Sequence, residues 1–167
     1  MRWSEFEAGA PDMAALARER LEDRHLCLVG TLRTDGWPRI SPVEPYIVQG
    51  ELMLGMMPGS RKALDLLRDP RVVVHSVVTD WEGSEGDVKL YGHAAEVMDE
   101  DRRLELFQAV ANAHRWAEAH DPDPRGGSHV FAVDIASAAF VRFGPDTWEI
   151  WRWDPDAGLM KDVHPNE

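Results

Sequence analysis

The residues with the most chemistry in this chain stand together in one run, Gly55-Met56-Met57-Pro58-Gly59-Ser60-Arg61-Lys62-Ala63. A strand-like stretch ends, a glycine permits a sharp turn, and a helix begins with Ser, Arg and Lys in its first turn. Free N–H groups and the positive end of the helix dipole point outward at such a place. A serine hydroxyl, an arginine fork and a lysine point charge complement a phosphate in three different ways. Ser60, Arg61 and Lys62 can therefore hold a phosphate. They also read as a capped helix with two solvated cations, and the local pattern alone does not separate the two.

Other reactive residues carry less. Cys27 is the sole cysteine, so an internal disulfide and a thiolate metal cluster are both excluded. Set in Leu26-Cys27-Leu28-Val29, it reads as a small buried hydrophobe rather than a nucleophile. His114 and His120 are six apart, whereas metal pairs on a helix are spaced by three or four. His75 and His93 fall on strands, and each reads first as a structural residue, with no metal site expected. Trp148, Trp151 and Trp153 read as core or interface packing. The acids of Asp80 to Asp87 and Glu96 to Asp101 read as a solvated face and a helix start.

The elements that must position these residues are mostly strands. Pro11 to Asp23 has Met13, Leu16, Ala17 and Leu21 at helical spacing, which makes residues 1–25 an N-terminal helical segment. From Leu26 the period changes to two. Strands are expected at Leu26–Arg33, Arg39–Val48, Glu51–Met57, Arg71–Thr79, Val88–Met98, His129–Phe143 and Thr147–Trp153. Thr34-Asp35-Gly36-Trp37 and Gln49-Gly50 supply turns. Pro42 and Pro45 leave gaps in a ladder, so their strand needs an edge, a bulge or a bend. A short helix, capped by Ser60, should turn Ala63, Leu64 and Leu67 inward. Asp99 opens a long helix whose apolar stripe is Leu104, Phe107, Val110, Ala111 and His114. Residues 154–167 should be a loose tail. About seven strands joined mainly by tight turns exclude a βαβ layout and predict a mostly β fold, an antiparallel barrel with few helices, in a single domain over 1–167.

Composition narrows the partners. The chain has 167 residues and a net charge of −12, spread along its length. A nucleic acid or an anionic membrane needs a basic face, so neither is expected. The first nine residues lack the apolar stretch of a signal peptide, and no run reaches the ~20 apolar residues of a membrane helix. A cytoplasmic protein is the expectation.

In order, the elements read strand, Asp-Gly turn, Pro-bearing strand, strand, Gly-Ser-Arg-Lys-Ala, short helix, Asp-Pro-Arg-Val, apolar strand. That order resembles the pyridoxamine 5′-phosphate oxidase-like family of flavin-binding split barrels. The likeness runs from about Leu26 to Met98. It resumes at Trp148-Glu149-Ile150-Trp151-Arg152-Trp153-Asp154-Pro155, similar to the family's Trp-x-x-x-Arg-Leu-x-Pro ending with Trp153 in place of Leu. The resemblance implies a split barrel that binds flavin mononucleotide (FMN) between two subunits, hence a homodimer. It implies that Ser60, Arg61 and Lys62 meet the phosphate and that Gly55 and Met56 lie beside the flavin and ribityl chain. It further implies that Arg39, Ile40, Ser41, Pro42, Val43 and Glu44 line the ring with their backbone groups.

Three departures qualify it. Asp87 stands where the family has a flavin-contacting Gln. The Arg-x-His element for pyridoxal phosphate has no counterpart, since Arg142 is the one arginine between Ala136 and Asp146. Glu44 or a neighbour replaces a substrate-binding Lys. The expected activity is thus an FMN-dependent oxidoreductase acting on a small-molecule substrate other than the name-giving one. A reductase using the deazaflavin coenzyme F-420 is the alternative, and a non-catalytic flavin- or haem-binding module is the reading of another class. No general base is nominated. A dimer also follows from the last strand: if Trp148 and Ile150 face the barrel, Trp151 and Trp153 need cover from a second subunit.

Overall fold

The computed structural model describes residues 1–113 and 127–166. Nine strands form one antiparallel sheet among them: β1 (Cys27–Leu32), β2 (Pro38–Val43), β3 (Pro45–Val48), β4 (Glu51–Met56), β5 (Arg71–Ser76), β6 (Asp87–Glu96), β7 (His129–Phe143), β8 (Thr147–Asp154) and β9 (Gly158–Pro165). The order is β2-β1-β5-β6-β7-β4-β3, with β8 on β7 and β9 on β8.

The expected Pro-bearing strand is two strands. Val43 pairs with Cys27 of β1 at one end of this order, while Pro45, two residues on, pairs with Leu54 of β4 at the other. Residues two apart can sit at opposite ends of a sheet only if the sheet curls back on itself, so the Glu44 break is where the barrel closes. Pro42 and Pro45 suit this place because neither can donate to a continuous ladder. A bulge between Tyr91 and Gly92 gives β6 and β7 their curvature. A Cβ on Gly92 would lie 2.0 Å from the Asp134 carbonyl oxygen, so the position takes only glycine.

Four helices flank the sheet: α1 (Trp3–Gly9), α2 (Pro11–Arg24), α3 (Arg61–Arg68) and α4 (Glu100–Ala113). Helix α1 lies within the expected helical segment 1–25 but is a helix of its own, separate from α2. Seven residues cannot hold a helix alone, but Trp3 and Phe6 are fully buried and Phe6 packs on Trp153 at 4.8 Å between ring centroids. The Trp153 side chain thus belongs to the core, and its cover is α1. Trp151 packs on Phe140 and lies beneath Lys161. Trp148 and Ile150 occupy the other face of β8. The expected need for a second subunit over Trp151 and Trp153 is therefore met within the chain.

The tail is also ordered. Asp154 accepts hydrogen bonds from the N–H groups of Asp156 and Ala157, Gly158 turns at φ +74°, and β9 returns along all of β8. Its exposed Met160-Lys161-Asp162-Val163 lacks the alternation by which strands are recognised. Strand β5 stops at Ser76 rather than Thr79, because the Ser76 hydroxyl takes the Val88 N–H and ends the ladder there.

Two helix faces are rotated from expectation. In α3, Ala63, Asp65 and Leu66 point inward, while Leu64 and Leu67 are exposed. In α4, Arg103, Leu106 and Val110 are buried and Leu104 is exposed. His114 and His120 lie outside the described residues. The main core fills the barrel and is closed by α1 and α2. A second cluster joins Leu106 and Val110 of α4 to Val48, Met53 and Val130.

Candidate functional site

Strand β4 ends at Met56, and Pro58-Gly59-Ser60 carries the chain into α3. Gly59 adopts φ +65°, and the Ser60 N–H donates to the Met57 carbonyl at 3.1 Å, closing a tight turn. The Leu64 N–H bonds the Ser60 carbonyl at 3.0 Å and starts the helix. The first-turn N–H groups of Arg61, Lys62 and Ala63 have no helical partner, as at any helix start. Ser60 holds the cap position in extended conformation, yet its hydroxyl makes no capping bond. It is one of two buried side-chain polar atoms without a partner among the described residues, the other being Trp3 Nε1. Arg61 is exposed and Lys62 half-buried, and neither forms a hydrogen bond or ion pair among the described residues. On a chain of net charge −12, where most arginines are paired, two adjacent open cations stand out.

Helix α3 is clamped by a carboxylate that the sequence reading passed over. Asp65 is buried, and its Oδ2 accepts from Arg39 Nε at 2.6 Å and from Thr31 Oγ1 at 3.0 Å. Arg68 pairs with its Oδ1 at 3.6 Å and also donates to the Leu32 carbonyl. Burial pushes the carboxyl up, but hydrogen bonds from Arg39 and Thr31 and the charges of Arg39 and Arg68 outweigh it and hold it below the usual aspartate range. The signal in sequence is a lone acid inside the apolar stripe of Ala63-Leu64-Asp65-Leu66-Leu67. An acid there must either break the packing or find a buried cation.

The expected ring-lining stretch divides by strand alternation. Arg39 spends its Nε on Asp65, and the Val43 side chain belongs to the core, its carbonyl accepting from the Cys27 thiol at 3.2 Å. Ile40 and Pro42 face outward, Ser41 is half-buried and Glu44 is exposed at the barrel closure. Gly55 is exposed, and a Cβ there would meet nothing within 4 Å. The Met56 side chain is buried in the core. Asp87, first residue of β6, is engaged by Lys89 and lies 3.5 Å from His75 Nε2, sharing no partner with the α3 cluster. Strand β2 reaches β4, and α3 rests on β1 and β6. Arg39 is thus joined to α3 through Asp65, and Gly55 through Lys62 follow one another along the turn.

Sequence reasoning also missed His129. It pairs with Met56 on the β4–β7 ladder, and its ring bonds the Gly59 N–H through Nε2 at 3.4 Å and Glu96 Oε1 through Nδ1 at 2.6 Å. On the outer face of the sheet a concave apolar hollow of about 410 Å³ is lined by Gly30, Val73, Tyr91, His93 and Arg71 among others. No group of three or more potential metal-ligating side chains occurs among the described residues. Burial pushes the Cys27 thiol up to about 12, which leaves it an inert core residue. Among the described residues, no helix is long and apolar enough to cross a membrane.

Known structures share this architecture. A Clostridium acetobutylicum protein related to general stress protein 26, of the pyridoxine phosphate oxidase family, superposes with a TM-score of 0.66 at 14% identity, over 87% of this chain and 98% of that one. A pyridoxamine 5′-phosphate oxidase-related, FMN-binding protein of Nostoc punctiforme gives 0.64 at 12%, over 89% and 93%. A heme-binding protein of Mycobacterium smegmatis gives 0.58 at 12%, over 90% and 88%. Curated protein sequences give no match. The model of the pyridoxamine 5′-phosphate oxidase family matches residues 13–142, most of the chain. With its closed antiparallel barrel and the Gly-Ser-Arg-Lys turn in the expected place, the chain belongs to the pyridoxamine 5′-phosphate oxidase family.

Proposed function

We propose that this protein binds FMN as a homodimer and acts as a flavin-dependent oxidoreductase on a small organic substrate. The observation that carries the reading is the first turn of α3. Among the described residues it offers two cations without partners, free N–H groups and a buried serine hydroxyl lacking any hydrogen bond. A buried hydroxyl left unmade costs about 1–3 kcal/mol. A phosphate, rich in acceptors, suits this donor set.

Arg61 and Lys62 bind the phosphate by charge. The Asp65 clamp fixes the helix from which they project. Gly55, open and without a side chain, lets a flat ligand approach the end of β4. When bound, FMN supplies the hydride and electron transfer, and the chain's own work is to hold and orient it. Asp87, already engaged by Lys89, is the weakest of the expected contacts. Pyridoxamine 5′-phosphate should be a poor substrate, since the Arg-x-His element and the substrate lysine are absent. Rapid peroxide formation from it by FMN-loaded protein would contradict that expectation.

The heme-binding neighbour supports a second reading, a non-catalytic haem module. Against it, both ring nitrogens of His129 are engaged, Nε2 by the Gly59 N–H and Nδ1 by Glu96. A deazaflavin would use the same phosphate contacts. An absorption spectrum of the purified protein separates the three. An FMN doublet is expected, and a Soret band or a single deazaflavin band would overturn the proposal.

A further inference from the structure

His129 has no place in the flavin contacts set out above, yet among the described residues it is the side chain that hydrogen-bonds the turn leading into α3. We propose that His129, oriented by Glu96, is the positioning residue that fixes the Gly59–Ser60 turn for phosphate. This inference rests on the flavin reading. His129 is the β7 partner of Met56, the last rung of the β4–β7 ladder, so its ring reaches just past the strand end where the turn begins. The Gly59 N–H points at Nε2 at 3.4 Å, and Nε2 can accept only if it carries no proton. The ring proton must then sit on Nδ1, and Glu96 Oε1 lies 2.6 Å from that atom to take it. Glu96 therefore selects the tautomer, and the tautomer holds the glycine, as carboxylates orient histidines in metal and catalytic sites.

The arrangement decides which donors a phosphate meets. Gly59 N–H is spent on His129 and Ser60 N–H on Met57, so the N–H groups of Arg61, Lys62 and Ala63 remain. Without the imidazole the turn relaxes and carries the remaining N–H groups out of line, since its φ of +65° is open to glycine in many neighbouring conformations. Close by, Arg103 of α4 donates to the carbonyls of Val97 and Ser128, the residues next to Glu96 and His129. It pins the two strands at the height of the pair. Phe131 stacks on the ring at 6.1 Å and limits its rotation.

Two measurements test the proposal. Nitrogen NMR of the imidazole at pH 8, on protein without cofactor, should show a bare Nε2 and a protonated Nδ1. The opposite tautomer would overturn it. Flavin titrations of His129→Leu and His129→Gln supply the second arm, because a glutamine amide oxygen can replace the lost acceptor. His129→Leu should weaken FMN about tenfold, the scale of one hydrogen bond, and riboflavin less than about twofold. His129→Gln should recover most of the FMN loss. Equal losses for both ligands, unchanged FMN binding by the leucine variant, or a glutamine variant no better than leucine would each overturn the positioning role. Wild-type protein that binds neither flavin overturns the cofactor reading and the phosphate half of this inference with it. The tautomer then still decides whether His129 holds the turn.

Discussion

Single side chains decide whether the turn before α3 can act as a phosphate site. Arg61 and Lys62 have no hydrogen-bond or ion-pair partner among the described residues, so removing them breaks no polar contact there. The double variant Arg61→Ala with Lys62→Ala should stay folded and lose FMN affinity by tenfold or more per residue, since charge-assisted hydrogen bonds contribute about 1.5–3 kcal/mol each. Riboflavin, lacking the phosphate, should bind nearly as before, and equal losses in the two titrations would dismiss the assignment. Asp65 behaves differently because it is buried and shared by three donors. Asp65→Asn should cost about 2 kcal/mol in urea unfolding, as Arg39 and Arg68 are partly exposed and soften the loss. Its carboxyl is depressed in the folded state, so its stabilisation is present above the unfolded value near 3.9 and fades as pH falls through the lower folded one. Wild type should therefore lose stability on acidification below about pH 4 more steeply than the asparagine variant. Parallel acid profiles would show that the clamp carries no such linkage.

Elements in this protein are stabilised by what covers them more than by their own propensities. Helix α1 is seven residues long and persists because Trp3 and Phe6 bury themselves against Trp153, with Gly9 letting that indole within 3.6 Å of where a Cβ would be. Phe6→Ala should cost about 3–5 kcal/mol and loosen β8 as well, measured by denaturation followed through tryptophan emission. A loss under about 1 kcal/mol would mean the helix is dispensable. In α3 the two leucine classes separate cleanly. Leu66→Ala should cost about 2–5 kcal/mol, and Leu64→Ala only a few tenths. The helical period was legible in sequence, but its phase was not. Leu64, Leu66 and Leu67 are alike in hydropathy, and the ion pair of Asp65 with Arg39, 26 residues away, set which of them turned inward.

At the scale of the molecule, the outer face of the sheet is left bare by the described residues. Ile40 is 71% exposed and Tyr91 40%, and they continue the hollow over Gly30 and Val73. An apolar patch spanning adjacent strands is what an interface requires, and a second copy is its proposed occupant. Asp69–Arg71 and Asp87–Lys89 border the face with charges of both signs, which a two-fold axis can match to themselves. Wild type should sediment as a dimer at low micromolar concentration, more firmly with FMN if cofactor binds across the interface. Tyr91→Glu should weaken association at least tenfold, or by about 1.4 kcal/mol. A wild-type monomer with and without FMN would remove the dimer from the proposal.

The sequence by itself determined the strand-rich character of the chain, the turns at Asp35-Gly36 and Gln49-Gly50, the family, and the Ser60-Arg61-Lys62 cluster. Each of these is written in residues close together, where alternation, turn chemistry and helix capping act over a few positions. Only the tertiary structure decided that the Pro42–Pro45 strand breaks at Glu44 to close the barrel, that α1 stands apart from α2, that β9 forms, and that Trp153 belongs to the core. It alone joined Asp65 to Arg39 and His129 to Gly59, contacts that span 26 and 70 residues. The reason is physical: burial and long-range hydrogen bonds depend on which surfaces meet, and no local pattern records the far partner. At Ser60 the two levels meet, since local sequence placed a serine at the helix cap and the tertiary structure left its hydroxyl buried without a partner among the described residues.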